Sequence, residues 1–116
     1  MRILHIINHV QNIGNGIVNV AVDLACLQSK DGHTVAVVSD GGEYEALLAF
    51  HDVRHWQLSQ SREPLNILKA AWGYWQIVQE FQPDIVHAHM MTGVVLAGIC
   101  KSVCKYSLVS TVHNEF

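Results

Sequence analysis

Short, unbroken apolar runs alternate along the chain with longer stretches in which apolar residues recur at intervals of three and four. Strands covered on both faces of a sheet are apolar without interruption, so the short runs predict strands at residues 2–8, 34–39, 53–58, 84–87 and 108–113. The longer stretches predict helices at 16–30, 43–50, 64–81 and 93–104. Strand and helix in alternation predict an α/β fold with right-handed crossovers and a doubly wound, mainly parallel sheet.

Glycine and proline mark where several of these elements begin and end. Gly32 is expected to close the first helix as a C-terminal cap, and Pro64 suits the first turn of a later helix. In that later helix one face is predicted to pack in the core, and it carries Leu65, Leu68, Trp72, Trp75 and Val78. Strands one, two, four and five are predicted to be central in the sheet.

Composition is typical of one globular domain over residues 1–116. The chain is 50% hydrophobic and 15% charged, which permits a substantial core. Its net charge is −3 and its seven basic residues are scattered, so nucleic acid is not predicted as a partner. Cys26, Cys100 and Cys104 form no disulfide framework, and the first apolar run is too short for a signal peptide or a membrane span. We expect a cytoplasmic protein or a peripheral protein at the inner membrane face.

Histidines follow two of the predicted strands. In a parallel sheet, ligands bind beyond the carboxyl ends of the strands, so His89 and His113 are predicted site residues. His113 is the strongest single candidate, because its imidazole can hydrogen-bond a sugar hydroxyl or a phosphate. His87 and His89 are expected to face opposite sides, with His87 covered by a helix and His89 leaving the strand toward the crevice.

The loop between the first strand and the first helix contains Gly14, Asn15 and Gly16. Glycines allow a ligand to approach the backbone, and a helix N-terminus offers free N–H groups, so this loop is a candidate anion site. A dinucleotide fingerprint would need Gly or Ala where Asn19 stands, and no Gly-Lys-Ser/Thr follows.

No metal site is predicted from the spacing of possible ligands. His87-x-His89 together with His113 matches no standard zinc spacing. Cys100 and Cys104 lie one helical turn apart among apolar residues and are expected to behave as small core residues. His5, inside the first strand, is expected to be a hydrogen-bonded core histidine.

Four landmarks together resemble the N-terminal half of a GT-B glycosyltransferase of the retaining family-4 type. They are the opening strand with its glycine loop, the segment from Leu24-Ala25 to Gly32-His33-Thr34-Val35, the segment Pro83-Asp84-Ile85-Val86-His87-Ala88-His89, and Thr111-Val112-His113. The resemblance covers nearly the whole chain and keeps the order of the landmarks.

This resemblance implies a Rossmann-like domain that faces a second such domain across a cleft. It implies that Gly14, Asn15 and Gly16 approach the donor diphosphate or the acceptor, and that His113 is the catalytic residue beside the transferred sugar. His89 and Asn114 would belong to the donor- or acceptor-binding set. No metal and no cofactor are implied, since the nucleotide-sugar is a substrate.

The same resemblance implies that the chain is a truncated N-terminal, acceptor-side domain. The partners would then be a nucleotide-sugar, an acceptor (a sugar, a lipid-linked sugar or a small molecule) and the missing C-terminal domain. The isolated chain is expected to be inactive and to self-associate through an exposed sheet edge. Two alternatives stay open: a free-standing nucleotide- or dinucleotide-binding module, in which Asp40 binds a ribose hydroxyl, and a non-catalytic interaction domain.

Overall fold

A computed structural model describes residues 1–7, 10, 16–58, 64–89 and 107–110 of the chain. Within these ranges the elements, in chain order, are β1 Arg2–Ile6, α1 Gly16–Lys30, β2 Thr34–Ser39, α2 Glu45–Phe50, β3 Arg54–Gln57, α3 Pro64–Phe81, β4 Ile85–Ala88 and β5 Ser107–Ser110. The predicted strands and helices are present in this order. The helix predicted over 93–104 lies outside the described residues.

The five described strands form one parallel sheet in the order β3-β2-β1-β4-β5. β1 pairs with β2 on one side and with β4 on the other, so the first strand lies in the middle. The predicted doubly wound sheet is therefore confirmed. β5 was predicted to be central, but it lies at an edge of the described sheet, next to β4 alone.

One face of the sheet is covered by α1 and α2. Alternate residues of β1 and β2 point to this face, because side chains in a strand alternate between the two sides. The buried cluster here combines strand residues with residues of both helices, namely Ile3, Ile7, Val10, Val18, Ala21, Val22, Ala25, Val35, Val37, Leu48 and Val53. We call this side of the sheet the α1 face.

The opposite side, the α3 face, is covered by α3. Its buried cluster consists of Leu4, Ile6, Ala36, Val38, Ala70, Tyr74, Ile77, Val78, Phe81, Val86 and Ala88. β4 contributes Val86 and Ala88 to the α3-face cluster. The two clusters sandwich β1 and β2, so these two strands are covered on both sides. This arrangement explains why their sequences are almost continuously apolar.

The buried side of α3 differs in part from the predicted one: Val78 of the predicted face is buried as expected, and the side chain of Leu65 lies outside those described. Leu68, Trp72 and Trp75 are 69%, 62% and 40% exposed, whereas Ala70 and Tyr74 are buried against the sheet. α3 carries apolar residues on two sides, and helical periodicity favoured the side with the bulkier residues. Close packing favours the side that carries Ala70 and Tyr74, because a Cβ added at neighbouring Gly73 would lie 2.9 Å from Leu58 Cδ1.

The end of α1 forms as the sequence predicts. Gly32 has a φ of +96°, the left-handed conformation that glycine adopts without strain. The Gly32 N–H donates to Ser29 O at 3.1 Å and the His33 N–H donates to Gln28 O at 3.1 Å, which satisfies carbonyls of the last turn. The chain then enters β2 at once.

Candidate functional site

The carboxyl ends of all five described strands lie on one edge of the sheet, and two loops are joined there. The Val10 N–H donates to Gly41 O at 3.1 Å, and the Tyr44 N–H donates to Val10 O at 2.9 Å. Tyr44 Oη also donates to Asn19 Oδ1 at 2.9 Å, which links the start of α1 to the loop after β2. This edge is therefore held by several cross-loop hydrogen bonds.

Three histidines meet on the α1 face near this edge. His5 of β1 pairs in register with His87 of β4, and His89 follows two residues later. The His87 and His89 rings are stacked with centroids 3.9 Å apart, and the His5 ring lies 5.3 and 5.1 Å from them. The expectation that His87 and His89 face opposite sides is therefore wrong, because residues two apart in a strand point to the same side.

A chain of hydrogen bonds connects α1 with this histidine cluster. His5 Nε2 lies 2.6 Å from Gln28 Oε1, and since an amide oxygen only accepts, His5 Nε2 is the donor. His5 Nδ1 then carries the lone pair and lies 2.9 Å from His89 Nε2, which donates to it. Both ring nitrogens of His5 are thus paired, as expected for a core histidine.

Burial controls the charge of His5. Burial lowers the pKa of His5 to about 4, against a smaller opposing effect of the Gln28 hydrogen bond and with a further lowering by His87. The imidazole is therefore neutral near pH 7, which agrees with the hydrogen-bond pattern. A neutral ring can lie buried between strands at far lower cost than a charged one.

A second polar network occupies the carboxyl end of β2 on the same face. His55 Nε2 lies 2.5 Å from Ser39 Oγ, and Ser39 Oγ also accepts the Gly41 N–H at 3.0 Å. Glu45 Oε1 lies 3.4 Å from His55 Nδ1, and Glu45 Oε2 accepts the Gly42 N–H at 3.0 Å. Burial lowers the pKa of His55, while Glu45 opposes this shift. Because Ser39 is fully buried, the network holds the turn after β2 rather than exposing a nucleophile.

The residues predicted for the site fall into two groups. Gly14, Asn15, His113 and Asn114 lie outside the described residues. Gly16 is the first residue of α1 and is exposed, and His89 is only 2% exposed. The backbone of His89 continues the sheet, with its N–H donating to Ile6 O at 3.0 Å. His89 lies one residue past the end of β4, as expected, but its ring turns inward to His5 and does not face an open crevice.

Sequence reasoning missed the partners of His89. His5 was treated as an isolated core residue, and Gln28, Ser39 and His55 were not singled out. The His-x-His spacing already placed two imidazoles on one side of β4. The pairing of His5 with His87 depends on strand register across more than eighty residues of sequence, which no local pattern reveals.

Two shallow depressions in the described part of the chain lie away from the cluster of His5, His87 and His89. One, of about 410 Å³, lies between α1 and α2 and is bordered by Asp23, Cys26, Leu27, Lys30, Leu47 and His51. The other, of about 280 Å³, lies beside Trp56, Gln57, Leu58, Gly73, Gln76, Ile77 and Glu80. Neither contains a predicted site residue. Among the described helices, none is long and apolar enough to cross a membrane.

Solved structures of several glycosyltransferases share this fold. The glycosyltransferase of Rickettsia africae superposes with a TM-score of 0.80 at 23% identity, over 99% of this chain and 30% of that one. MurG of Acinetobacter baumannii gives 0.74 at 15% identity, over 96% and 35% of the two chains. HepE of Anabaena, solved with UDP and glucose, gives 0.69 at 18% identity, over 95% and 29%. At these identities the likeness shows the fold, and the chain spans about a third of each structure.

Sequence comparison identifies the family. No curated protein matches the chain. The family model for Glycosyltransferase Family 4 matches residues 14–116, which is nearly the whole sequence. This match agrees with the Rossmann-like fold and with the four sequence landmarks, and the chain belongs to glycosyltransferase family 4.

Proposed function

We propose that this chain is the acceptor-side, N-terminal domain of a retaining GT-B glycosyltransferase that uses a nucleotide-sugar donor. The observation that carries the proposal is the family match over residues 14–116. HepE, one of the structural neighbours, was solved with UDP and glucose, which supports a nucleoside diphosphate sugar as the class of donor. The chain spans 30% of the Rickettsia africae structure, and in the proposal a second domain completes the active protein.

The carboxyl edge of the sheet is the part of the domain that we assign to the cleft. Ligands of open parallel sheets bind in this position, and Gly16 opens α1 there with its helix N-terminus. In the proposal Gly14, Asn15 and Gly16 approach the diphosphate or the acceptor. The backbone bonds between Val10 and the loop after β2 support it, because they fix the entry to the glycine loop.

His113 is proposed as the catalytic residue, and Asn114 as a binding residue beside it. A neutral imidazole can hydrogen-bond the transferred sugar, and such a bond accelerates transfer if it strengthens as charge develops in the transition state. His89 is proposed to form part of the acceptor wall. Its ring is buried against His5, so we expect it to act by shaping that wall.

Activity measurements on two forms of the protein test the proposal. The isolated chain is expected to show no sugar transfer and weak nucleotide-sugar binding, because both domains are needed to orient donor and acceptor. The longer protein that contains it should transfer sugar, and NMR of the product should show the donor's anomeric configuration. Inverted products would contradict retention, and tight NAD binding by the isolated chain without transfer by the longer protein would favour a dinucleotide-binding module.

In the longer protein, His113→Ala should lower kcat by ~10- to 1000-fold and change donor affinity much less. The matched control is His33→Ala, since His33 precedes β2 and lies at the opposite, amino edge of the sheet. Steady-state kinetics with both variants make the comparison. Full activity of His113→Ala would refute the catalytic assignment while leaving the family unchanged.

A further inference from the structure

We propose that His5, His87 and His89 form a binding site for a divalent transition metal such as Zn²⁺, with one nitrogen of each imidazole as a ligand. The three ligand atoms already lie within 4.8 Å of one another. The site shares His89 with the proposed acceptor wall, but zinc binding by this chain does not depend on sugar transfer. The prediction of no metal rested on the spacing of His87, His89 and His113 and assigned His5 to the core.

Strand geometry brings the three ligands together. His87 and His89 are two residues apart in sequence and share one side of the sheet, and the parallel register sets His5 directly beside His87. Three imidazoles from two adjacent strands are a known type of zinc ligand set, in which the fourth position takes water or another ligand. The fold thus supplies the ligands from two adjacent strands, β1 and β4, and from the residue that follows β4.

The distances are near those that a metal requires. On a tetrahedral zinc ion with zinc–nitrogen bonds of about 2.0–2.1 Å, two ligand nitrogens lie roughly 3.3 Å apart. His5 Nδ1 and His89 Nε2 are 2.9 Å apart, so they must separate by a few tenths of an ångström. The ligand nitrogen of His87 lies within 4.8 Å of the other two and must move closer before all three can bind one ion.

Gln28 orients the first ligand in the way that outer-shell residues of metal sites do. His5 Nε2–H donates to Gln28 Oε1 at 2.6 Å, which turns the Nδ1 lone pair toward His89. Metal-bound histidines usually donate their other N–H to an oxygen in this manner. For His89 Nε2 to bind a metal it must give up the proton that it donates to His5 Nδ1, so metal binding is coupled to the displacement of one proton.

The chemistry of the donor set defines the class of ion. Imidazole nitrogen suits Zn²⁺, Co²⁺, Ni²⁺ and Cu²⁺, whereas Mg²⁺ and Ca²⁺ require oxygen ligands, and this cluster has no carboxylate. His5 and His89 are buried and His87 is half-buried, so an ion would enter from the side of His87.

Isothermal titration calorimetry of the full 116-residue chain with ZnCl₂ tests the proposal. We expect one saturable equivalent per chain, no heat with MgCl₂, and a cobalt absorption spectrum typical of four-coordinate nitrogen ligation. His87→Gln should weaken zinc binding ~100-fold or more, and Gln28→Ala by ~10- to 100-fold, as outer-shell changes do. His33→Gln, in a histidine outside the cluster, is the matched control and should bind zinc normally.

Circular dichroism shows whether each variant folds, and a measurement on the unaltered chain keeps the test independent of folding. Histidine-selective ¹H–¹⁵N spectra should show zinc-dependent shifts of the His5, His87 and His89 ring nitrogens. Three results would overturn the proposal: absence of saturable zinc binding, equal zinc affinity in folded His87→Gln, or zinc-dependent shifts confined to other histidines.

Discussion

The two faces of the sheet differ in the kind of residue they bury. The α3 face is apolar throughout, with Leu4, Ile6 and Val86 packed beneath Tyr74 and Phe81. The polar residues that are buried in the described part of the chain all lie on the α1 face: His5 and Ser39 in strands, and His89 directly after β4. β1 contributes alternate residues to both faces: Leu4 and Ile6 to the apolar core of the α3 face, and His5 to the buried polar groups of the α1 face.

The two faces of this one sheet therefore differ in how they affect the protein. An apolar face gains stability from burial and imposes no pH dependence, whereas a polar face must satisfy each buried group with a partner. On the α1 face this requirement is met by Gln28 for His5 and by His55 for Ser39. We therefore expect substitutions on the α3 face to change stability alone, and those on the α1 face to change its dependence on pH or metal.

The largest loss of stability is expected from a substitution that leaves a cavity in the core of the α3 face. Phe81 is 2% exposed, packs edge-on against Trp56 with ring centroids 5.8 Å apart, and lies under the Arg2 guanidinium. Phe81→Ala should lower the free energy of unfolding by about 3–5 kcal/mol, because it leaves a cavity in the core. Urea denaturation measures this change.

Phe50→Ala is the matched control for that substitution, because Phe50 is 80% exposed. It should change the free energy of unfolding by less than about 0.5 kcal/mol. If the two phenylalanine variants were equally destabilised, the α3 face would not be the core that we describe.

The second effect concerns pH and belongs to the α1 face. Folding lowers the pKa of His5 from 6.5 to about 4, so between these values the unfolded chain binds a proton that the folded chain does not. Stability is unaffected by His5 above pH 6.5 and falls as pH decreases through this window, by about 3 kcal/mol in total. The lowered pKa of His55 acts in the same direction.

Urea denaturation in EDTA at several pH values between 7 and 4 measures this dependence. His5→Gln should reduce the slope even if the variant is less stable at pH 7, because the contribution of His5 is lost and that of His55 remains. His87 and His89 both contact the His5 ring, so these two residues are left unchanged in the comparison. An unchanged slope in His5→Gln would contradict the assignment.

A third, smaller effect is expected at Gln28. Gln28→Ala removes the acceptor for His5 Nε2–H and should lower the free energy of unfolding by about 1–3 kcal/mol, the cost of an unpaired buried donor. It should also lower the pKa of His5 further, since this hydrogen bond raises it. The pKa is read from the His5 ring resonances during a pH titration, and a higher value in the variant would contradict the hydrogen-bond pattern.

The same comparison shows what the sequence could reveal. The strands and the helices α1 and α3 were predictable, because continuous apolar runs and helical periodicity are local signals. The meeting of His5 with His87 was not, because register is set by the packing of distant segments. The buried side of α3 was not predictable either, since Leu68 and Trp72 lie on one apolar stripe and Tyr74 on another.

The smallest effect tests that last point directly. Trp72 is 62% exposed, and its ring contacts Trp75 on the outer side of α3, 6.2 Å between centroids. Trp72→Ala should therefore change the free energy of unfolding by less than about 1 kcal/mol, while Tyr74→Ala, two residues away and fully buried, should cost about 3–5 kcal/mol. Comparing the urea denaturation of the two variants shows which side of α3 packs against the sheet. A larger loss in Trp72→Ala would restore the face predicted by periodicity and reverse the assignment of α3 to the sheet.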